Sequence, residues 1–324
     1  MTAETSLDRF AAAKLKALEQ RNLKRTLVVT EQIGPIEVIR DGKRLISFSS
    51  NDYLNLSQHP KIKEAAVRAT ERYGTGSGAS RLVTGNHPLF AELEERLARL
   101  KGTESAIVFG SGYLTNTGVI PALISADDVV FVDELAHSCL HAGANLTRGA
   151  LHVFRHNDTD HLRDRLDAHR LDHPHALIVT DGVFSMDGDL APIRNLVEMA
   201  DAFDAWLLTD DAHGIGVVGN GRGSAHANGS GSAPLLQMGT LSKAIGSYGG
   251  YLCASRPVID LIASRCRTFI YSTGLPPGSV AAAIAALDLI ERNPNYAAQP
   301  LKKARSFAKI LGLPPGDSPI VPVI

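Results

Sequence analysis

The chain has 324 residues and a mass of 34.6 kDa, and at about 150 residues per domain it is long enough for about two domains with buried cores. Lys and Arg number 33 against 34 Asp and Glu, 44% of residues are hydrophobic and 21% charged, and no stretch nears the roughly 20 apolar residues a bilayer span needs. Peptide-sized folds, disulfide scaffolds and charge-driven binding to nucleic acid or anionic lipid are thereby excluded.

The first ten residues carry acidic groups and no apolar run, which predicts neither a transit nor a signal peptide, and so a cytoplasmic protein. Leu7, Phe10, Ala11, Leu15 and Leu18 form a helical stripe, and a mixed, extended segment follows to Leu45, so residues 1–45 read as an arm. From Ala106 onward seven short β-rich runs recur: Ala106–Phe109, Val129–Val132, Leu151–Phe154, Ala176–Thr180, Trp206–Thr209, Leu235–Met238 and Tyr251–Ala254. Helical patterns fill most gaps. Asp158–Arg170 opens on an Asp-Thr-Asp suited to capping, and Pro192–Phe203 carries a proline in its first turn. Alternating strands and helices, several strands being apolar throughout, predict a three-layer α/β fold whose mostly parallel sheet is covered on both faces.

Gly, Pro and Ser crowd Gly219–Pro234, read as a long loop, and Leu313–Pro319, read as a linker. The closing Val321-Pro-Val-Ile324 reads as the opening strand of a further domain. Cys139, Cys253 and Cys266 are odd in number and widely spread, as in a reducing compartment.

Three constellations compete for the chemistry. Gly214-Ile-Gly216-Val-Val-Gly219 spells a dinucleotide fingerprint, but the helix that must follow is replaced by Asn220-Gly-Arg-Gly223, and residues 236–242 hold no acid for a ribose. His137, Cys139 and His141 alternate like metal ligands, yet Ser138–Leu146 reads as helical and no carboxylate or second cysteine pair completes a set; no metal is expected. The third is Thr240-Leu-Ser242-Lys243 after an apolar strand, with Thr209-Asp210-Asp211-Ala212-His213-Gly214 at the end of another. A lysine flanked by hydroxyls suits a Schiff base beside a phosphate anchor, and a carboxylate at a parallel strand's C-terminal end suits a pyridinium nitrogen. Taken alone, the lysine reads more readily as an exposed loop lysine, and a cap or ion pair is the lesser reading of the two acids.

The chain resembles the α-oxoamine synthases, pyridoxal phosphate enzymes of the aspartate aminotransferase type I fold, from about residue 20 to its end. The likeness rests on Ser50-Asn-Asp-Tyr-Leu54, Gly76–Gly85, Phe154-Arg-His-Asn-Asp158, Asp181-Gly-Val-Phe-Ser-Met-Asp-Gly188, Thr209–Gly214, Thr240–Lys243 and Tyr271-Ser-Thr-Gly-Leu-Pro-Pro277, in order and at family spacing. Asp210-Asp-Ala-His-Gly214 resembles the branch that joins L-alanine to a pimeloyl thioester, carried by coenzyme A or an acyl-carrier protein, in biotin synthesis. Branches using glycine or serine with another acyl thioester, or a non-catalytic shortened paralogue, are the alternatives.

The resemblance implies a role for each matching residue. Lys243 would be the Schiff-base lysine and the base at the substrate Cα. Asp210 would pair with the pyridine nitrogen, His213 and Ser185 with the phenolic oxygen, and His137 would stack on the ring. Gly112, Tyr113 and Thr240 would bind the phosphate, with Ser272 or Thr273 reaching the phosphate of a second subunit in a homodimer. Arg25 and Asn51 would contact substrate. It further implies a large cofactor-binding domain over residues 46–290 and, from 291 to 324, only the start of a small domain, without the arginine that binds the amino-acid carboxylate.

Overall fold

The structure, a computed structural model, describes residues 5–227, 229 and 236–324. The chain divides after Ser50 into two compact units. The first contains helix α1 (Ser6–Gln20) and an antiparallel sheet of β1 (Thr30–Gln32), β2 (Glu37–Arg40) and β3 (Lys43–Ile46). Thr5 and Asp8 cap α1 reciprocally, side chain to main chain in both directions. The extended reading of residues 21–45 is therefore corrected in part. Asp41 and Gly42 both take positive φ, 51° and 71°, the conformation of a tight two-residue hairpin turn, which folds the segment back on itself.

The second unit holds the remaining strands and helices. In chain order these are α2 (Pro60–Tyr73), α3 (Leu89–Lys101), β4 (Ser105–Phe109), α4 (Gly112–Leu123), β5 (Val129–Asp133), α5 (Ser138–Asn145), β6 (Ala150–Phe154), α6 (Thr159–His169), β7 (Ala176–Asp181), α7 (Ile193–Ala202) and β8 (Trp206–Asp210). After them come α8 (Ser224–Ala227), β9 (Leu236–Thr240), β10 (Gly250–Ala254), α9 (Arg256–Arg265), α10 (Arg267–Ile270), α11 (Pro277–Arg292) and α12 (Pro294–Ile310). All seven predicted strands form, though Leu235, the expected start of one, lies outside the described residues, as do 228 and 230–234 of the predicted loop. No strand forms over Val321–Ile324.

The sheet order is β4-β10-β9-β8-β7-β5-β6, parallel from β9 to β6, with β10 antiparallel to both of its neighbours. Two reversals leave β4 running in the same direction as β9. Six strands, β4, β5, β6, β7, β8 and β9, thus end at one edge, which is where open α/β sheets bind ligands.

Strand periodicity divides the core. Val130 and Val132 of β5, Leu177 and Val179 of β7 and Leu208 of β8 enter one cluster, with Val119 and Ile120 of α4 and Leu140 of α5. Their neighbours Val129, Phe131, Ala176, Ile178 and Leu207 enter another cluster on the opposite face, with Leu162, Leu166 and Leu196. Phe131 is fully buried, and its truncation to Ala would cost about 3–5 kcal/mol. Among the described residues no helix is long and apolar enough to cross a membrane.

Candidate active site

Every loop leaving that sheet edge brings in a polar side chain. Asp210 is the last residue of β8 and, at period two from Leu208, lies on the face covered by α4 and α5. Its Oδ2 accepts from Asn116 Nδ2 of α4 at 2.7 Å, and its Oδ1 from the Ala212 main-chain N–H at 2.9 Å. Asp181, the last residue of β7, accepts from the His137 main-chain N–H at 2.6 Å. Burial, together with the Asp210 carboxylate beside it, pushes Asp181 well above the usual carboxylate range.

Lys243 follows β9. Burial lowers its ammonium from the ordinary lysine range, against the pull of Asp210 and Asp181. Among the described residues nothing hydrogen-bonds or ion-pairs with its Nζ. A partly buried amine near acids, held by none of them, has its lone pair and protons free for a ligand. His213 lies in the same group: burial first, then the charge of Lys243, holds its ring down to about 3, so it is neutral at ordinary pH. Its Nδ1 meets the Tyr53 hydroxyl at 2.7 Å, and burial raises that phenol to about 12, so the phenol keeps its proton.

His137 caps α5, its Nδ1 accepting from the Cys139 main-chain N–H. The alternating extended ligand segment does not exist, since α5 begins at Ser138.

A cradle of donors suited to an anion lies at the N-terminus of α4, after β4. Ser111 caps α4 by accepting from the Leu114 N–H, which leaves the Gly112 and Tyr113 N–H groups at a helix N-terminus without partners among the described residues. A Cβ on Gly112 would stand 3.1 Å from Met238 Cε and 3.5 Å from Thr240 Cβ, so the missing side chain keeps the Thr240 face of the helix start open. Thr240 Oγ1 itself meets the Ser242 hydroxyl at 2.7 Å and the Gly249 carbonyl at 2.8 Å. Since Asn116, one turn along α4 from Gly112, binds Asp210, the cradle and the carboxylate share one rigid helix. A planar cofactor with a phosphate at one end, a ring nitrogen at the other and an aldehyde for Lys243 fits this donor set.

The other candidates are not drawn into this cluster by any described contact. Ser185 sits half-buried in the turn after β7, and Asn51 is exposed at the start of the second unit. Thr273 is exposed and bridges to Ser80, with Ser272 beside it. Arg25 is exposed in the first unit. Two participants, Asn116 and Cys139, carry no sequence signal of their role and meet the cluster only through tertiary packing, while Tyr53 lies in the Ser50–Leu54 motif with no role assigned to it there. The Gly214–Gly219 run forms turns and then a short 3-10 segment, Gly219–Gly221, with no long helix after it.

The family described as aminotransferase class I and II matches residues 43–323. The chain is 62% identical over 289 residues to the 8-amino-7-oxononanoate synthase of Methylocella silvestris, covering 89% of this chain and 82% of that protein. Against the enzyme of the same name from Beijerinckia indica the identity is 58% over 319 residues, 98% of this chain and 83% of the relative. The solved serine palmitoyltransferase of Sphingomonas wittichii superposes with a TM-score of 0.88 at 27% identity, over 98% of this chain and 82% of its own. Fold, donor set and relatives agree: the chain belongs to the class I and II aminotransferase family, whose cofactor is pyridoxal phosphate, and within it to the 8-amino-7-oxononanoate synthases.

Proposed function

We propose that this chain joins L-alanine to a pimeloyl thioester, with release of carbon dioxide and free thiol, to give 8-amino-7-oxononanoate. The observation that carries the chemistry is Lys243, a partly buried amine of lowered proton affinity facing Asp210, Asp181 and His213 with no partner among the described residues. The choice of substrates is supported by relatives at 56–62% identity that carry the synthase name. Glycine or serine is disfavoured, because the relatives at this level of identity carry the 8-amino-7-oxononanoate synthase name.

Bound pyridoxal phosphate supplies an aldehyde that captures an amino group and a ring that draws electron density from the adjoining Cα. The residues divide the remaining work. Lys243 Nζ would hold the aldehyde carbon and would take and return the proton at the substrate Cα, a role that the lowering of its proton affinity by burial favours. Asp210, fixed by Asn116 and the Ala212 N–H, holds a proton on the ring nitrogen. Tyr53 can donate to His213 Nδ1, which leaves Nε2–H of a neutral ring to bind the phenolic oxygen, with Ser185 as its companion. Gly112, Tyr113 and Thr240 bind the phosphate. His137 stacks on the ring, Arg25 and Asn51 contact substrate, and Ser272 or Thr273 serves the phosphate of a second copy, so the working form is a homodimer. A cytoplasmic location belongs to the same reading and is supported by three free, buried cysteines.

A panel assay decides it. L-alanine, glycine and L-serine are tested against pimeloyl-coenzyme A, a pimeloyl acyl-carrier protein and palmitoyl-coenzyme A, following carbon dioxide and free thiol. L-alanine with a pimeloyl thioester should turn over fastest. Faster turnover of serine with palmitoyl-coenzyme A would overturn the proposal.

A further inference from the structure

Cys139 packs between two groups of the site. Its Sγ is 2.8 Å from His137 Nδ1 and 3.1 Å from Asn116 Nδ2, and its main-chain N–H donates to the same His137 Nδ1 at 3.2 Å. The directions of these bonds can be assigned one after another. A carboxylate oxygen accepts, so the amide nitrogen of Asn116, not its oxygen, faces Asp210 Oδ2 at 2.7 Å. The second hydrogen of that nitrogen points at the Cys139 sulfur, which accepts it. The thiol's own proton is then directed to His137 Nδ1. A main-chain N–H can only donate, so Nδ1 is an acceptor on a second, independent ground.

We infer that Cys139 is a positioning residue: its thiol and its main-chain N–H together fix the His137 imidazole in the tautomer that carries its proton on Nε2. This rests on the proposed reading that His137 lies against the cofactor. A proton on Nδ1 would face two donors at once, so the other tautomer is disfavoured. Burial, reinforced by Asp210, raises the thiol to about 12, so it remains a donor at ordinary pH. The consequence for the reaction is a fixed ring orientation and an Nε2–H free to donate to a substrate oxygen. Asn116 extends the arrangement to Asp210, so the group that stacks on the ring and the group that holds its nitrogen are oriented through one thiol and one amide. The unsatisfied Asn116 Oδ1, buried without a partner among the described residues, is the counterpart of turning both amide hydrogens toward Asp210 and Cys139.

The test is the ring-nitrogen spectrum of His137 in protein labelled with 15N-histidine and loaded with pyridoxal phosphate, the signal being assigned by its loss in His137→Asn. The wild type should show a single tautomer with the proton on Nε2. Cys139→Ala, which retains the main-chain donor but loses the thiol, should show a detectable second tautomer beside the first, and Cys139→Ser, whose hydroxyl can donate, should restore the single tautomer. A proton on Nδ1 in the wild type, or a Cys139→Ala spectrum identical to the wild type, would overturn the inference. The two ideas separate cleanly: if His137 signals do not move between cofactor-free and loaded protein, its placement against the cofactor fails, whatever the tautomer.

Discussion

Asp210 and Asp211 are adjacent in sequence, yet their carboxylates serve opposite faces of the central sheet. Asp210 accepts from Asn116 under α4, whereas Asp211 Oδ2 lies 2.6 Å from Lys101 Nζ of α3, both side chains being almost wholly buried, and its Oδ1 accepts from the Ser224 N–H. In the proposed function Asp210 serves the chemistry, while Asp211 braces the scaffold. Asp210→Asn should therefore retain the folded state and lose most turnover, because an amide no longer favours a protonated ring nitrogen. Asp211→Asn should instead leave Lys101 buried without its counter-charge, at a cost of about 3–5 kcal/mol. Urea unfolding and turnover measured side by side check both; equal effects in the two variants would contradict the assignment.

Tyr53→Phe removes the partner of His213 Nδ1 inside the site. A buried polar atom left unpaired costs about 1–3 kcal/mol, and the His213 ring is freed to rotate. Thermal unfolding should shift downward and turnover should fall, whereas His213, whose burial holds it down to about 3, should remain neutral throughout the working pH range in the wild type.

Gly112→Ala places a methyl group beside Thr240 at the mouth of the anion cradle. The nearest atom is the flexible end of Met238, so folding should be little disturbed. Pyridoxal phosphate affinity should fall by about tenfold, equivalent to about 1.4 kcal/mol, as read by cofactor titration. Unchanged affinity would place the phosphate elsewhere.

His156 ties the loop carrying Ser185 to the sheet: Nδ1 meets Asp133 at 3.1 Å and Nε2 meets Asp189 at 2.8 Å. Partial burial pushes the ring down, but the bonds to Asp133 and Asp189 outweigh it, so its folded pKa lies above the ordinary 6.5. A raised folded pKa means this contribution is fully present below 6.5 and is lost as pH rises through the higher folded value. The stability difference between wild type and His156→Gln, measured from about pH 5 to about pH 9, should shrink with rising pH. A difference that grows would reverse the sign.

How much of this was legible in the sequence follows from where each side chain is determined. Strands such as Val129–Asp133 and Ala176–Asp181 are buried on both faces, so their apolar runs read directly from the sequence. The separation of Asp210 from Asp211 is implied by period two, and the family resemblance singles out Asp210, but the Lys101 partner of Asp211 on the other face comes only from tertiary packing. Asn116 and Cys139 sit on two helices whose contact is set by packing, and nothing in their spacing along the chain announces it. Asp41-Gly42 did carry a hairpin signal, which the mixed polarity of its flanking residues obscured. The expected strand at Val321–Ile324 had only local β propensity behind it and finds no pairing partner among the described residues.

The central claim, that Lys243 carries pyridoxal phosphate, is tested most directly by borohydride reduction of the loaded protein followed by peptide mass spectrometry. The account predicts one reduced cofactor adduct per chain, on the peptide containing Lys243, and none in Lys243→Ala supplied with the same cofactor. An adduct on another lysine, or an undiminished adduct in Lys243→Ala, would contradict it.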